Sequence, residues 1–170
     1  MDDSKTTKDF ISKNNLLKIS RITQSCEIND VDSLISKLDS SRGVMLTSRY
    51  EYPGRYTRYD IGFVNPPLVV EVRANNISVE SLNDRGEVLL KVFYQILKDC
   101  SILKIDTFDD KKISGEIVTS EKSFFEEDRS KAPHVLNVLR FLRDALEIED
   151  SHIGFYGAFG YDLGLDFMGV

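Results

Sequence analysis

The sequence predicts an α+β fold, a mixed and mainly antiparallel sheet arrangement with flanking helices. Three observations carry this. Leu68 to Arg73 alternates, with Leu68, Val70 and Val72 on one face and Val69, Glu71 and Arg73 on the other; Asn75-Asn76 offers a turn, and Ile77 to Leu82 returns as a second strand, a hairpin pattern. Three further segments place apolar residues at helical spacing: Val31, Leu34, Ile35 and Leu38; Val88, Leu89, Val92, Phe93, Ile96 and Leu97; and Val135, Leu136, Leu139, Leu142 and Leu146. Gly, Pro, Asn and Asp punctuate the chain between these segments.

Taken in order, residues 1–15 are polar and aperiodic and read as a flexible N-terminal lead. Residues 16–170 read as one domain, with no repeat and no linker. Leu16 to Ile28 fits neither period. Asn29 and Asp30 offer N-cap oxygens to the helix beginning near Val31, and Gly43 suits a left-handed cap after it. Val44-Met45-Leu46 reads as a buried strand and Ile61 to Val64 as an extended one, ended by Pro66-Pro67. Asn83-Asp84-Arg85-Gly86 reads as a turn ahead of the second helix. Residues 106–112 are charged and expected at the surface, and Ile113 to Val118 is expected as a strand. Ser123 and Glu126 have capping-box spacing, but the charged run after them reads as a solvated loop. Pro133 suits the first turn of the third helix. Ile153 onward, rich in Gly and aromatics, reads as a strand entering a close-packed turn region.

Composition bounds the function. Of 170 residues, 28 are acidic and 22 basic, for a net charge of −6, and no basic run occurs. Nonspecific nucleic-acid binding needs cations to neutralise phosphates, so no nucleic-acid partner is expected. No apolar stretch approaches the ~20 residues of a membrane span, and the polar start is unlike a signal peptide, so no membrane partner is expected. Cys26 and Cys100 make no disulfide framework, and each reads as a buried free thiol of a cytoplasmic protein.

Little catalytic chemistry is visible. His134 and His152 have no Cys, His or carboxylate at metal-ligand spacing, so no metal site is expected; His134 reads as a surface residue near a helix start and His152 as a strand-edge residue. There is no G-x-S-x-G elbow, and Gly154, Gly157, Gly160 and Gly164 match no phosphate-binding motif; close packing is the simpler reading. EYPGRYTRYD, Glu51 to Asp60, is the most informative segment. Arg55 and Arg58 are planar donors suited to a carboxylate, and Tyr52, Tyr56 and Tyr59 could line a pocket. The plainer alternative is an exposed turn whose arginines pair with Glu51 and Asp60.

These residues resemble a known family. Gly43-Val44-Met45-Leu46-Thr47-Ser48 followed by EYPGRYTRYDIGFVNPPL, then Glu126 to Ser130 with Pro133, and above all IGFYGAFGYDLGLDF from Ile153 to Phe167, resemble the N-terminal region of the long, fused type of anthranilate synthase. The resemblance spans about residues 30–167, and Tyr59 departs from it where Trp is expected. It implies a fold of sheets packed face to face with helices outside. It also implies a lyase of tryptophan biosynthesis that makes anthranilate from chorismate and glutamine-derived ammonia, using Mg2+ in the full-length enzyme.

By the same resemblance the chain ends before the catalytic chorismate-binding part. No catalytic residue is carried over, no cofactor is expected within this fragment, and the fragment alone is expected to be inactive. The implied partners are that catalytic part, a glutamine amidotransferase domain or subunit, and L-tryptophan as feedback inhibitor. Leu46, Thr47 and Ser48 match the family's Leu-x-Ser-type regulatory segment, and Arg58 matches a basic residue about ten positions on. Thr47 stands where the family usually has Glu. In those roles Ser48 and Arg58 would bind the ligand's polar end, and Leu46 would wall the indole. A related aminodeoxychorismate or phenazine-pathway synthase, or a stand-alone small-molecule-binding module, stays open on the sequence.

Overall fold

A computed structural model describes residues 5–47, 52–55, 60–118 and 134–160. The fold is α+β, with antiparallel sheets and helices packed on them. The chain divides into two compact units, Met1–Lys8 with Arg21–Pro66, and Asp9–Ser20 with Pro67–Val170.

The first two strands are β1, Thr6–Ile11, and β2, Lys18–Thr23, paired in a two-stranded sheet. β1 lies inside the span read as a loose lead. Its side chains are almost all exposed, so it carries no apolar periodicity to read. The loop between the strands is tightly bonded. Ser12 N–H donates to the Leu17 carbonyl at 2.9 Å, Leu17 N–H donates to Ser12 Oγ at 2.9 Å, and Ser12 Oγ donates to Asn14 Oδ1 at 2.7 Å.

In the smaller unit, helix α1, Ile28–Leu38, packs on strands β3, Gly43–Thr47, and β4, Asp60–Val64. α1 starts earlier than its apolar stripe, so Asn29 and Asp30 fall within its first turn rather than ahead of it. Gly43 is not a left-handed cap. It opens β3, and a Cβ there would meet the Phe63 carbonyl oxygen of β4 at 2.3 Å and Leu38 Cδ2 of α1 at 2.6 Å. Gly62 opposite Met45 plays the same part, since a Cβ there would meet Met45 Sδ at 2.6 Å and Leu34 Cδ2 at 2.8 Å. Two glycines therefore let the helix lie close on the strands.

The larger unit is built on a four-stranded antiparallel sheet of order β5-β6-β8-β7. These strands are β5, Leu68–Arg73; β6, Asn76–Ser81; β7, Leu103–Phe108; and β8, Lys112–Ile117. Helices α2, Asp84–Leu97, and α3, Val135–Leu146, complete it. The core is made of Ile77 and Val79 of β6, Ile113 and Ile117 of β8, Leu103, residues of α2 with Cys100 just beyond it, and Val135, Val138 and Leu142 of α3. The alternation of buried and exposed positions along β6 and β8 puts the aliphatic residues toward the helices.

Residues 83–86 are a helix start and not a free turn. Asn83 is the N-cap, its Oδ1 accepting the Gly86 N–H at 3.2 Å, with Asp84 and Glu87 in the favourable first turn. The buried face of α2 runs Gly86, Leu90, Phe93, Leu97, so Leu90 is core while Val88 points outward at 62% exposure. β7 extends through Phe108 into the span expected only to be exposed and charged. His134 caps α3, its Nδ1 accepting the Leu136 N–H at 3.3 Å. After α3, residues 153–160 form no strand; Phe155 instead meets Phe93 edge-on, ring centroids 6.3 Å apart. Ser123, Glu126, Pro133 and residues 161–170 lie outside the described residues.

The loop between β1 and β2 reaches α3. Lys13 N–H donates to the Leu146 carbonyl at 3.1 Å, and its ammonium pairs with the Glu147 carboxylate. An end-of-helix carbonyl thus gains a donor and the negative helix end gains a cation.

Candidate functional site

The regulatory segment that the resemblance implies begins on β3. β3 pairs antiparallel with β4, setting Val44 opposite Phe63, Leu46 opposite Ile61 and Thr47 opposite Asp60. The close approach of Leu34 and Met45 to Gly62 marks the face that α1 covers. By strand alternation Met45 and Thr47 lie on that face, and Val44, Leu46, Ile61 and Phe63 lie on the other.

Leu46 is therefore not a buried core residue. It is 46% exposed, flanked by the half-buried Ile61 and Phe63 on an apolar face turned away from α1. An aliphatic and aromatic surface of this kind suits a flat apolar ring. Thr47 is also exposed but belongs to the opposite face, so the strand separates it from Leu46. Ser48 and Arg58 lie outside the described residues, as do Tyr56 and Tyr59. Ile61 and Phe63 join the face of Leu46 through strand register. Their signal in the sequence is the alternation of Asp60-Ile61-Gly62-Phe63, which shows a common face but not the neighbouring strand.

Of the other candidates in EYPGRYTRYD, Tyr52 and Arg55 are described. The Arg55 N–H donates to the Tyr52 carbonyl at 2.9 Å, closing the Pro53-Gly54 turn, where Gly54 has φ of 78°. The Arg55 guanidinium stands over the Tyr52 ring at 5.5 Å, in the range of a cation–π contact. Both side chains are exposed, so this is a surface turn held by its own residues.

Cys26 is exposed and not buried as its sequence suggested, whereas Cys100 is buried and burial pushes its thiol up. His152 Nδ1 lies 3.1 Å from Ser151 Oγ and 3.6 Å from Asp150 Oδ1. Both neighbours approach the same ring nitrogen, so the three do not form a nucleophile–base–orienter relay, which uses both nitrogens. Among the described residues no three His, Cys, Asp or Glu side chains group closely enough to hold a metal ion. Among the same residues no helix is long and apolar enough to cross a membrane.

Comparison with known proteins adds a relative. A protein named anthranilate synthase from Azospirillum brasilense is 34% identical over 138 residues, which cover 81% of this chain and 19% of that protein. The chain thus spans about a fifth of that relative's length. No protein-family model and no solved structure matches the chain. By sequence, then, the chain is similar to one segment of a protein named anthranilate synthase.

Proposed function

We propose that this chain is the N-terminal, regulatory and scaffolding part of an anthranilate synthase large component, of the type fused to its glutaminase. In the whole enzyme chorismate and glutamine-derived ammonia give anthranilate for tryptophan biosynthesis, with the chemistry, the magnesium and the glutaminase supplied outside this segment. The observation that carries the reading is the 34% identity, over four-fifths of the chain, to a protein named anthranilate synthase.

Within that reading the segment from Leu46 to Ser48, with Arg58, contributes to a tryptophan feedback site. The support is the open apolar face of Leu46 and Ile61, which offers an indole a flat contact. Arg58 would meet the ligand's carboxylate and Ser48 its carboxylate or ammonium. Thr47 lies on the other strand face from Leu46 and would serve the site through the backbone of the same segment.

The test uses the full-length enzyme. Loss of a hydrogen bond to a charged group costs about 1.5–3 kcal/mol, and a factor of ten in affinity is about 1.4 kcal/mol. Arg58→Ala should therefore raise the tryptophan concentration for half-inhibition by about 10- to 100-fold, with turnover without tryptophan nearly unchanged. Ser48→Ala should act in the same direction and less strongly. Loss of turnover with unchanged inhibition in both variants would sink the assignment. Calorimetry on the 170-residue chain, with phenylalanine as control, should show weak or no tryptophan binding.

A further inference from the structure

We propose that the loop of the β1–β2 hairpin is a releasable strap on a hinge at Glu147, through which the start of the chain sets the path of the segment after α3. Strap and hinge both lie in the larger unit. Glu147 ends α3, its N–H donating to the Arg143 carbonyl at 2.8 Å, and its backbone has φ of 25° and ψ of 77°. A residue with a Cβ adopts positive φ at a cost, and no glycine stands at this helix end to take the conformation without strain. A strained residue keeps such a backbone only where its surroundings impose it.

The surroundings here are two bonds from Lys13. Its N–H donates to the Leu146 carbonyl at 3.1 Å, and its ammonium pairs with the Glu147 carboxylate. The Asp144 carboxylate adds a weaker attraction to the same ammonium. Among the described residues no other hydrogen bond or ion pair joins the loop to the end of α3. A backbone hydrogen bond and an exposed ion pair each stabilise by an amount comparable with the cost of the left-handed backbone. Attachment and strain therefore nearly balance, and the strap is poised for release. Both charged groups are exposed, so salt weakens the ionic half of the attachment.

Each side of the joint holds its own shape. In the loop, Asn14 Oδ1 accepts the Ser12 hydroxyl and the Leu16 N–H, and the Asn15 N–H donates to the Ser12 carbonyl at 2.8 Å. Asn15 has φ of 57°, which its short polar side chain tolerates. With the two Ser12–Leu17 bonds, the loop can leave α3 as a folded piece. Beyond the hinge, the Asp150 N–H donates to the Ile148 carbonyl at 2.8 Å and the His152 N–H to Asp150 Oδ1 at 2.8 Å. The Tyr156 hydroxyl then donates to the His152 carbonyl at 2.9 Å. Residues 148–156 are thus bonded among themselves, and their direction from α3 turns on Glu147. With the strap closed, Phe155 meets Phe93 of α2. On release the Leu146 carbonyl turns to water, Glu147 leaves the left-handed region, and the segment is free to turn.

The test is NMR-detected amide exchange on the 170-residue chain, with rates referred to Ile77 and Val79 of β6, and it is independent of the assigned function. Raising salt from about 0.01 M to about 1 M shortens the screening length from about 30 Å to about 3 Å. The amides of Lys13 and Glu147 should then speed up together by about two- to fivefold, the reach of an exposed ion pair. The amides of Ser12 and Leu17, bonded within the loop, should keep their rates. Lys13→Gln should show the faster rates at both salt concentrations, and Lys13→Arg should keep the salt response. Glu147→Gly removes carboxylate and strain together, so its amide should stay slow in low and high salt alike. Unchanged Lys13 and Glu147 rates in high salt overturn the proposal. Equal acceleration of Ser12 and Leu17 also overturns it, since the loop then melts instead of letting go.

Discussion

Ala74 occupies a backbone conformation better suited to glycine. It is the first residue of the two-residue loop between β5 and β6, with φ of 50°. A loop with positive φ at its first central position normally takes Gly there. The left-handed region costs a residue with a Cβ about 1–2 kcal/mol, while the added freedom of an unfolded glycine costs about 0.4–1 kcal/mol. Strain relief is the larger of the two, so Ala74→Gly should stabilise the protein by about 0.5–1 kcal/mol, read as a higher denaturation midpoint. A lower midpoint would show that the loop holds Ala74 without strain. Asp9 gives a second prediction. The Ser20 hydroxyl donates to it at 2.6 Å and Lys18 stands 3.5 Å away, and in that order they hold its carboxyl below the ordinary aspartate value. A depressed folded value means that the contribution of the pair is present above the unfolded value and is lost as pH falls through the folded one. An NMR titration of the Asp9 carboxyl should give a midpoint below that of a model peptide, and Ser20→Ala should bring it back up. No movement in Ser20→Ala would assign the effect to Lys18.

At the scale of elements, helix α2 shows what the sequence could and could not reveal. Its existence was plain from the density of apolar residues, but its phase was not. Val88-Leu89-Leu90 and Val92-Phe93-Tyr94 put apolar residues on more than one side, and only the sheet decides that Leu90 and Leu97 turn inward while Val88 turns out. Leu97 is fully buried, so Leu97→Ala should cost about 2–5 kcal/mol, whereas Val88→Ala should stay within about 0.5 kcal/mol. Equal costs in urea melts would mean the helix is rotated from the orientation described. The hairpin of β5 and β6 was legible because its alternation is uninterrupted. β7 was missed because the bulge between Ile105 and Thr107 shifts its alternation partway along the strand. For the candidate site, the strand carrying Leu46 could be read directly. Its pairing with Ile61 could not, since register across an irregular connection leaves no local mark.

At the scale of the molecule, the two units differ in how much they bury. Every buried hydrophobic residue among those described, from Ile77 to Leu142, belongs to the larger unit. The helix and two strands of the smaller unit hold only half-buried and exposed side chains where described. Local opening is easiest where burial is least. Amide hydrogens of β3 and β4 should therefore exchange at least about a hundredfold faster than those of β6 and β8, equivalent to about 3 kcal/mol. Similar protection in both units would show that the smaller one is stabilised by more than its own packing. The bond from Lys13 to Leu146, with the ion pair to Glu147, has a further consequence for how the chain is made. The loop of the β1–β2 hairpin is fastened to a residue that leaves the ribosome 134 positions later. At about 5–20 residues per second, the hairpin waits about 7–27 s for its anchor. During that interval its loop, with a serine that the finished protein buries, stays open to water and to chaperones.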